Sequence, residues 1–192
     1  ALVPTSILVI VGSLWLYGSQ PLLPNLQDKQ VIAVPKGITL KGLSRSLAQH
    51  GVTFPNLFYV YARIFGSANI QAGEYALDHR MSAQELLNRL ARGKVITYRL
   101  TIVEGWTFAQ MKAHIDADPH LIHLTKHMSP KQIMVELGAP HLNPEGYFLP
   151  TTYPYNANTT DLAMYRRAFN SMTHLLSDMW RTKDEGLPLK NP

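Results

Sequence analysis

Apolar residues recur along the first half of the chain at spacings that predict three short helices between two short strands. Apolar positions three and four residues apart follow Thr39, Pro55 and Ser82, which suit the first turn of a helix. Short runs rich in β-branched or alternating apolar residues at 31–34 and 71–77 predict the strands. Residues 31–94 therefore form a β-α-α-β-α unit, a size typical of a binding module.

The second half begins with a strong strand pattern and ends with a long helix. Residues 95–103 alternate and are β-branched, and two short helices are expected to begin at Thr107 and Ser129, each with a glutamine three residues later. Four prolines within 139–158 predict loops. A 3-4-3-4-3 spacing predicts an amphipathic helix over 160–181, with apolar positions Leu162, Tyr165, Phe169, Met172, Leu176 and Met179.

The amino-terminal segment is apolar and uncharged as far as Asp28. As a helix, residues 2–18 would span roughly 25 Å, a little less than a hydrocarbon core, with Trp15 and Tyr17 placed as an interfacial aromatic belt. We predict a membrane anchor over 1–18 and a proline-containing linker over 19–30. A signal-peptide core and a buried helix are the alternatives. Because the chain opens at Ala1, part of this segment is expected to be missing.

Composition removes several classes of function. The 192 residues carry 18 Lys and Arg against 13 Asp and Glu, and only 16% are charged, which excludes a polybasic nucleic-acid tail. No nucleic-acid partner is expected. The lack of cysteine excludes disulfides, zinc-thiolate sites and thiol catalysis. Esterase, NTPase and dinucleotide motifs do not occur, and we expect no cofactor.

The histidines raise the question of a metal site. His114, His120, His123 and His127 fall close together, and the last two have the i, i+4 spacing that chelates one ion on a helix. No HExxH motif occurs, and Asp116 and Asp118 adjoin a proline in a predicted turn. Scattered surface histidines explain the pattern better, so no metal is expected.

The most unusual stretch is 143–153, NPEGYFLPTTY, which sets Glu145 among three aromatic residues in a loop stiffened by glycine and proline. Aromatic faces beside polar groups suit pyranose rings, which present C–H faces to the rings and hydroxyls to hydrogen bonds. The alternative is that the aromatics fill the core and Glu145 pairs with a neighbouring base.

Several segments in matching order resemble one known family. They are VPKG (34–37), LSRSLAQHGV (43–52), QAGEY (71–75), SAQELLNRLARG (82–93), LTIVEGWT (100–107), the 143–153 stretch, ANTTD (157–161) and GLP (186–188). Together they are similar to the endolytic murein transglycosylases of the YceG-like type. The resemblance covers about residues 31–192.

The resemblance implies an α+β fold in four parts. These are a transmembrane helix (1–18), a linker (19–30), a LysM-like β-α-α-β subdomain (31–94) and the incomplete N-terminal part of a mixed α/β catalytic domain (95–192). It implies a single-pass protein of the bacterial inner membrane, with its soluble part on the periplasmic or extracytoplasmic side. The implied activity is that of a lyase, which cleaves nascent peptidoglycan strands after N-acetylmuramic acid and leaves 1,6-anhydro ends. The implied partners are glycan strands and the membrane, with cell-wall synthases as further candidates.

The resemblance also bears on the site. In the family a helix that carries the catalytic glutamate follows the Gly-Leu-Pro landmark. The sequence given ends at Pro192, before such a helix. No catalytic residue is therefore assigned, and these 192 residues are expected to be inactive alone. Glu145, Tyr147, Thr152 and Tyr153 are the predicted substrate-binding residues on the wall of a glycan cleft. Thr151 stands where the family usually has aspartate. The alternative function is a non-catalytic, membrane-anchored module that binds peptidoglycan or acts as a scaffold.

Overall fold

The computed structural model describes residues 12–24, 26, 28–66 and 69–183. The chain divides into two compact units, unit 1 over Ala1–Ile96 and unit 2 over Thr97–Pro192. Within the described residues each unit combines helices with a two-stranded antiparallel sheet. The predicted combination of helices and small sheets is thus confirmed, while the identities assigned to the four sequence segments stay predictions.

Unit 1 has the predicted order of elements. A helix α1 covers residues 12–19, and the following elements are β1 (Gln30–Val34), α2 (Leu40–Gln49), α3 (Pro55–Phe65), β2 (Gly73–Leu77) and α4 (Ala83–Arg92). Strands β1 and β2 pair antiparallel, with Ile32 opposite Tyr75. After α1, the described part of the unit is therefore two helices connecting two paired strands, followed by one more helix.

Local sequence explains where these helices begin. The Thr39 hydroxyl accepts a hydrogen bond from Gly42 N at the start of α2, and the Ser82 hydroxyl accepts one from Glu85 N at the start of α4. The return bond of a capping box is not recorded at α4, where the Glu85 carboxylate lies 2.6 Å from the Arg89 guanidinium. Phe65, the last residue of α3, is 47% exposed although it lies at helical spacing from the buried Phe58, Tyr61 and Ala62.

The stretch predicted as a linker, 19–30, contributes to the core of unit 1. Leu22 and Leu23 are buried, the Leu22 N–H donates to the Met81 carbonyl, and the Leu22 carbonyl accepts from Thr53 N. Pro21 and Pro24 interrupt any regular spacing of apolar residues in this stretch, so its local sequence does not reveal the burial. Burying two leucines contributes about 1.5–3 kcal/mol each, so this part of the stretch is a structural component of unit 1.

Most of the segment predicted as an anchor, residues 1–11, lies outside the described residues. Its described remainder packs on unit 1: Leu14 is buried, and the Tyr17 hydroxyl lies 3.3–3.4 Å from the carbonyls of Thr53 and Phe54. In the part of the chain that the structure describes, we find no helix with the length and apolarity needed to cross a membrane.

Unit 2 pairs strand β3 (Thr97–Thr101) antiparallel with strand β4 (Thr152–Asn156). The second strand lies inside the stretch expected to be loop. Its prolines concealed a period of two, in which Tyr153 and Tyr155 are buried and the residues between and beside them are exposed. The helices of the unit are α5 (Phe108–Asp116), α6 (Pro130–Glu136) and α7 (Asp161–Arg181).

The helices of unit 2 follow their predicted signals. Both α5 and α6 begin with complete capping boxes, Thr107 with Gln110 and Ser129 with Gln132. The first half of α7 is buried through Met164, Tyr165 and Ala168. Farther along the helix the apolar stripe is exposed, since Met179 is 63% accessible.

Candidate functional site

A cleft of about 280 Å³ opens in unit 2 between the start of α5 and the loop that precedes β4. Its lining is mainly apolar and aromatic and includes one carboxylate. The residues that define its character are Trp106, Phe108, Met111, Glu145, Phe148 and Met172. Such a lining presents flat apolar faces beside one charged group that accepts hydrogen bonds.

Glu145 is held at this cleft by the end of a helix. Its Oε2 accepts a 2.9 Å hydrogen bond from Phe108 N, and its own N–H donates to Asn143 Oδ1. Phe108 is the first residue of α5, where backbone N–H groups have no partner within the helix. The helix dipole also favours a negative charge there. The Glu145 carboxylate thus accepts from a backbone N–H, whereas the alternative prediction expected it to pair with a neighbouring base.

Trp106 is a cleft residue that the sequence analysis did not select. The ring is half-buried and meets His114 edge-on, with ring centroids 5.1 Å apart. The sequence feature that points to Trp106 is its position between the glycine of a turn, Gly105, and the cap residue of α5, Thr107. Gly105 and Gly146 both line the cleft with φ near +80°, a conformation that favours glycine.

Tyr147 and Thr152 lie outside the lining of this cleft. Tyr147 is half-buried, and its ring packs against Phe169 at a centroid distance of 6.3 Å. Thr152 is exposed on β4, with its hydroxyl 2.9 Å from that of Thr101 across the sheet. Their assignment to sugar binding stays a prediction.

Tyr153 is part of the core of unit 2. Its side chain is 4% exposed, and its hydroxyl donates a 2.7 Å hydrogen bond to the Leu149 carbonyl. Burial raises the pKa of the Tyr153 phenol, against smaller lowering effects of Ser171 and Arg167. This residue therefore supports the loop before β4 from within. Of the four predicted binding residues, only Glu145 lines the cleft.

The histidine pair singled out by its spacing does not lie on a helix. His123 and His127 belong to the irregular segment between α5 and α6. His120 stacks on Tyr98 at 3.8 Å between ring centroids, whereas His123 faces two aspartates of the same unit. An i, i+4 chelate is therefore not formed.

Comparison with known families assigns the sequence to one of them. A model of the YceG-like family matches residues 32–192. The chain belongs to the YceG-like family. The resemblance recognised in the sequence is confirmed at this level.

Two curated relatives are named endolytic murein transglycosylase. The one from Bacillus subtilis (strain 168) is 24% identical over 196 residues, covering 91% of this chain and 54% of the relative. The one from Streptococcus pneumoniae serotype 2 (strain D39 / NCTC 7466) is 23% identical over 191 residues, covering 84% and 35%. The chain thus spans about half, or less, of the length of these relatives.

A crystal structure of a putative YceG-like protein from Listeria monocytogenes is also similar. The match has a TM-score of 0.40 and 20% sequence identity, and it covers 81% of this chain and 57% of the other.

Proposed function

We propose that this YceG-like chain functions in an endolytic murein transglycosylase of the bacterial cell wall. The proposed enzyme is a single-pass protein of the inner membrane with its soluble part outside the cytoplasm. It cleaves nascent peptidoglycan strands after N-acetylmuramic acid and leaves 1,6-anhydro ends. The family match over residues 32–192 and the names of the two relatives support this proposal.

The observation that carries the role of unit 2 is that the Glu145 carboxylate and the Trp106 ring line one cleft. An aromatic ring takes the C–H face of a sugar, while a carboxylate accepts hydrogen bonds from its hydroxyls. The cleft volume of about 280 Å³ suits part of a glycan chain rather than a long segment. We therefore assign the cleft to one wall of the glycan groove.

The proposed reaction needs an acid and a base but no water. An acid protonates the departing glycosidic oxygen while the C1–O bond breaks. A base takes the proton of the muramoyl 6-hydroxyl, whose oxygen forms the new bond to C1 and closes the anhydro ring. Following the resemblance, we propose that the acid is a glutamate beyond Pro192, and that Glu145 orients the sugar.

Product analysis tests the activity. Purified peptidoglycan is incubated with the 192-residue chain and with a longer protein that includes the downstream segment. Mass spectrometry should detect anhydromuramoyl ends with the longer protein and none with the shorter. Glycan binding without anhydro ends from either protein would instead favour the non-catalytic binding or scaffolding module. Membrane fractionation of the longer protein tests the proposed location.

Substitution at the cleft tests its role separately. Glu145→Gln in the longer protein keeps a side-chain acceptor for Phe108 N but removes the charge, and turnover should fall by about tenfold or more. Ser129→Ala is the matched control, because it weakens the cap of α6 by about 1 kcal/mol without touching the cleft. Wild-type turnover in Glu145→Gln would reduce Glu145 to a helix cap.

A further inference from the structure

A second cluster of polar side chains lies in unit 2 at the opposite end of α5 from the cleft. It joins Asp116 at the end of α5, His123 in the segment before α6, and Asp161 at the start of α7. Each offers one ligand atom, and these atoms all lie within 4.8 Å of one another. His123 Nδ1 is 3.8 Å from Asp161 Oδ2.

Two atoms of this cluster are buried without a hydrogen-bond partner. They are Asp116 Oδ1 and His123 Nδ1. Leaving such an atom unsatisfied costs about 1–3 kcal/mol, so two in one cluster indicate a missing common partner.

The hydrogen bond at Nε2 of the His123 ring determines whether Nδ1 carries a proton or a lone pair. Nε2 lies 2.9 Å from the Asp118 carbonyl, which can only accept, so Nε2 carries the proton. In the neutral ring Nδ1 then presents a lone pair toward the carboxylates. A metal-bound histidine is typically oriented by such a bond from its other nitrogen.

The charges of the two aspartates are balanced differently. Lys112 Nζ lies 2.6 Å from Asp116 Oδ2, which leaves Oδ1 for another partner. His123 Nδ1 lies 3.8 Å from Asp161 Oδ2, and among the described residues no lysine or arginine forms an ion pair with Asp161. Asp161 Oδ1 accepts hydrogen bonds from Leu124 N and Leu162 N, and Oδ2 accepts them from Thr125 N and the Thr125 hydroxyl, which hold the buried carboxylate in place.

A single cation meets these requirements better than a proton or a water molecule. A proton on Nδ1 would serve the His123–Asp161 contact and leave Asp116 Oδ1 unsatisfied. A water molecule could bond to both unpartnered atoms but would supply no positive charge. One imidazole nitrogen with carboxylate oxygens is a donor set that suits Zn²⁺.

We propose that Asp116, His123 and Asp161 bind one divalent transition-metal ion, with Zn²⁺ as the best fit. Ligand atoms of a tetrahedral zinc site lie about 3.3 Å apart, so the cluster contracts slightly on binding. The ion joins the end of α5, the segment before α6 and the start of α7, and three protein ligands leave its fourth position to a water molecule. This proposal is independent of the activity proposed for the cleft.

Metal titration of the chelator-treated chain tests the site. Calorimetry should give one Zn²⁺ per chain, Zn²⁺ should raise the thermal midpoint, and Mg²⁺ or Ca²⁺ should bind far more weakly. Asp116→Asn and His123→Gln should each lower zinc affinity by about tenfold or more. His127→Gln, an exposed histidine of the same segment, is the matched control and should change the affinity less than twofold.

Three results would overturn the proposal: no zinc binding by the wild-type chain, equal binding by His123→Gln, or a larger loss in His127→Gln than in His123→Gln. If a variant fails to fold, anomalous diffraction from wild-type crystals grown with Zn²⁺ decides. A peak between Asp116 and His123 supports the site. A water molecule, or a protonated His123 with no peak, refutes it.

Discussion

The two units bury very different kinds of residue. In the described part of unit 1 the buried polar residue is Ser44, whose hydroxyl donates to the Pro55 carbonyl, and the remaining core is hydrophobic. Unit 2 buries Thr125 and Asp161, and it also contains the unpartnered atoms Asp116 Oδ1 and His123 Nδ1 close to Asp161. Its apolar core is also rich in aromatic rings, with Phe108, Phe148 and Tyr165 in mutual contact.

This contrast separates stability from chemistry. Apolar burial stabilises a fold without demanding particular partners, whereas each buried polar group must be satisfied or it destabilises the fold. Unit 1 therefore has the character of a packed module. Unit 2 contains both the cleft and the polar cluster, so we expect function to depend on unit 2 more directly.

The largest effect is expected at the buried charge of unit 2. Asp161→Ala leaves Leu124 N and Thr125 N without their acceptor, and stability of unit 2 should fall by roughly 3–5 kcal/mol. Hydrogen exchange resolved by residue should show the loss around 121–125. Asp178→Ala, on the exposed part of the same helix, is the control and should cost less than about 0.5 kcal/mol. Equal losses would contradict the polar account of unit 2.

A core leucine tests the apolar account of unit 1. Leu86 is fully buried, and Leu86→Ala should destabilise unit 1 by about 3 kcal/mol by leaving a cavity. Hydrogen exchange in β1 and β2 measures the effect. Leu57→Ala, at a position 37% exposed on α3, should cost about 1 kcal/mol or less. If Leu57→Ala destabilised unit 1 as much as Leu86→Ala, apolar burial at Leu86 would not explain the stability of this unit.

The smallest effect is expected in alkaline solution. The Tyr155 hydroxyl donates a 2.6 Å hydrogen bond to Asp118 Oδ2. Burial is the largest cause that raises the pKa of this phenol, and the hydrogen bond and the charge of Asp118 raise it further. An unfolded tyrosine ionises near pH 10, so this stability is fully present below pH 10 and is lost as the pH rises toward the folded pKa. The loss is at most about 1.4 kcal/mol per pH unit for each such tyrosine.

Tyr155→Phe should flatten this alkaline decline in unit 2, as measured by denaturant unfolding between about pH 9 and 12. The comparison in unit 1 is Tyr17→Phe, because burial raises the pKa of Tyr17 to about 12. That variant should leave the decline of unit 2 unchanged. An unaltered slope in Tyr155→Phe would show that its hydroxyl contributes nothing to the pH dependence.

Local signals located most of the helices, because a cap and a period of 3.6 are written in neighbouring residues. Thr107 with Gln110 and Ser129 with Gln132 are examples in which both bonds of the box form. Two features that local signals do not reveal have one cause, because a proline excludes neither a strand nor a buried neighbour. Pro154 lies within β4, opposite Arg99, and Leu22 between two prolines is part of the core.

Local sequence signals predict only part of the candidate site. The composition of 143–153 singled out Glu145, and the ordered motifs indicated the family later matched over 32–192. No local signal distinguished Tyr153, which is buried, from Thr152 beside it, which is exposed, once the strand itself was missed.

Residue order along the chain was enough for the helix starts, the class of fold and the family, because caps, periodicity and motifs depend on residues close together in sequence. The tertiary structure was needed to bring Glu145 to the first turn of α5 and to gather Asp116, His123 and Asp161. The members of each set are separated by loops whose path depends on packing. Contacts of that kind form only where buried apolar surface holds distant segments together, and no short pattern of residues encodes them.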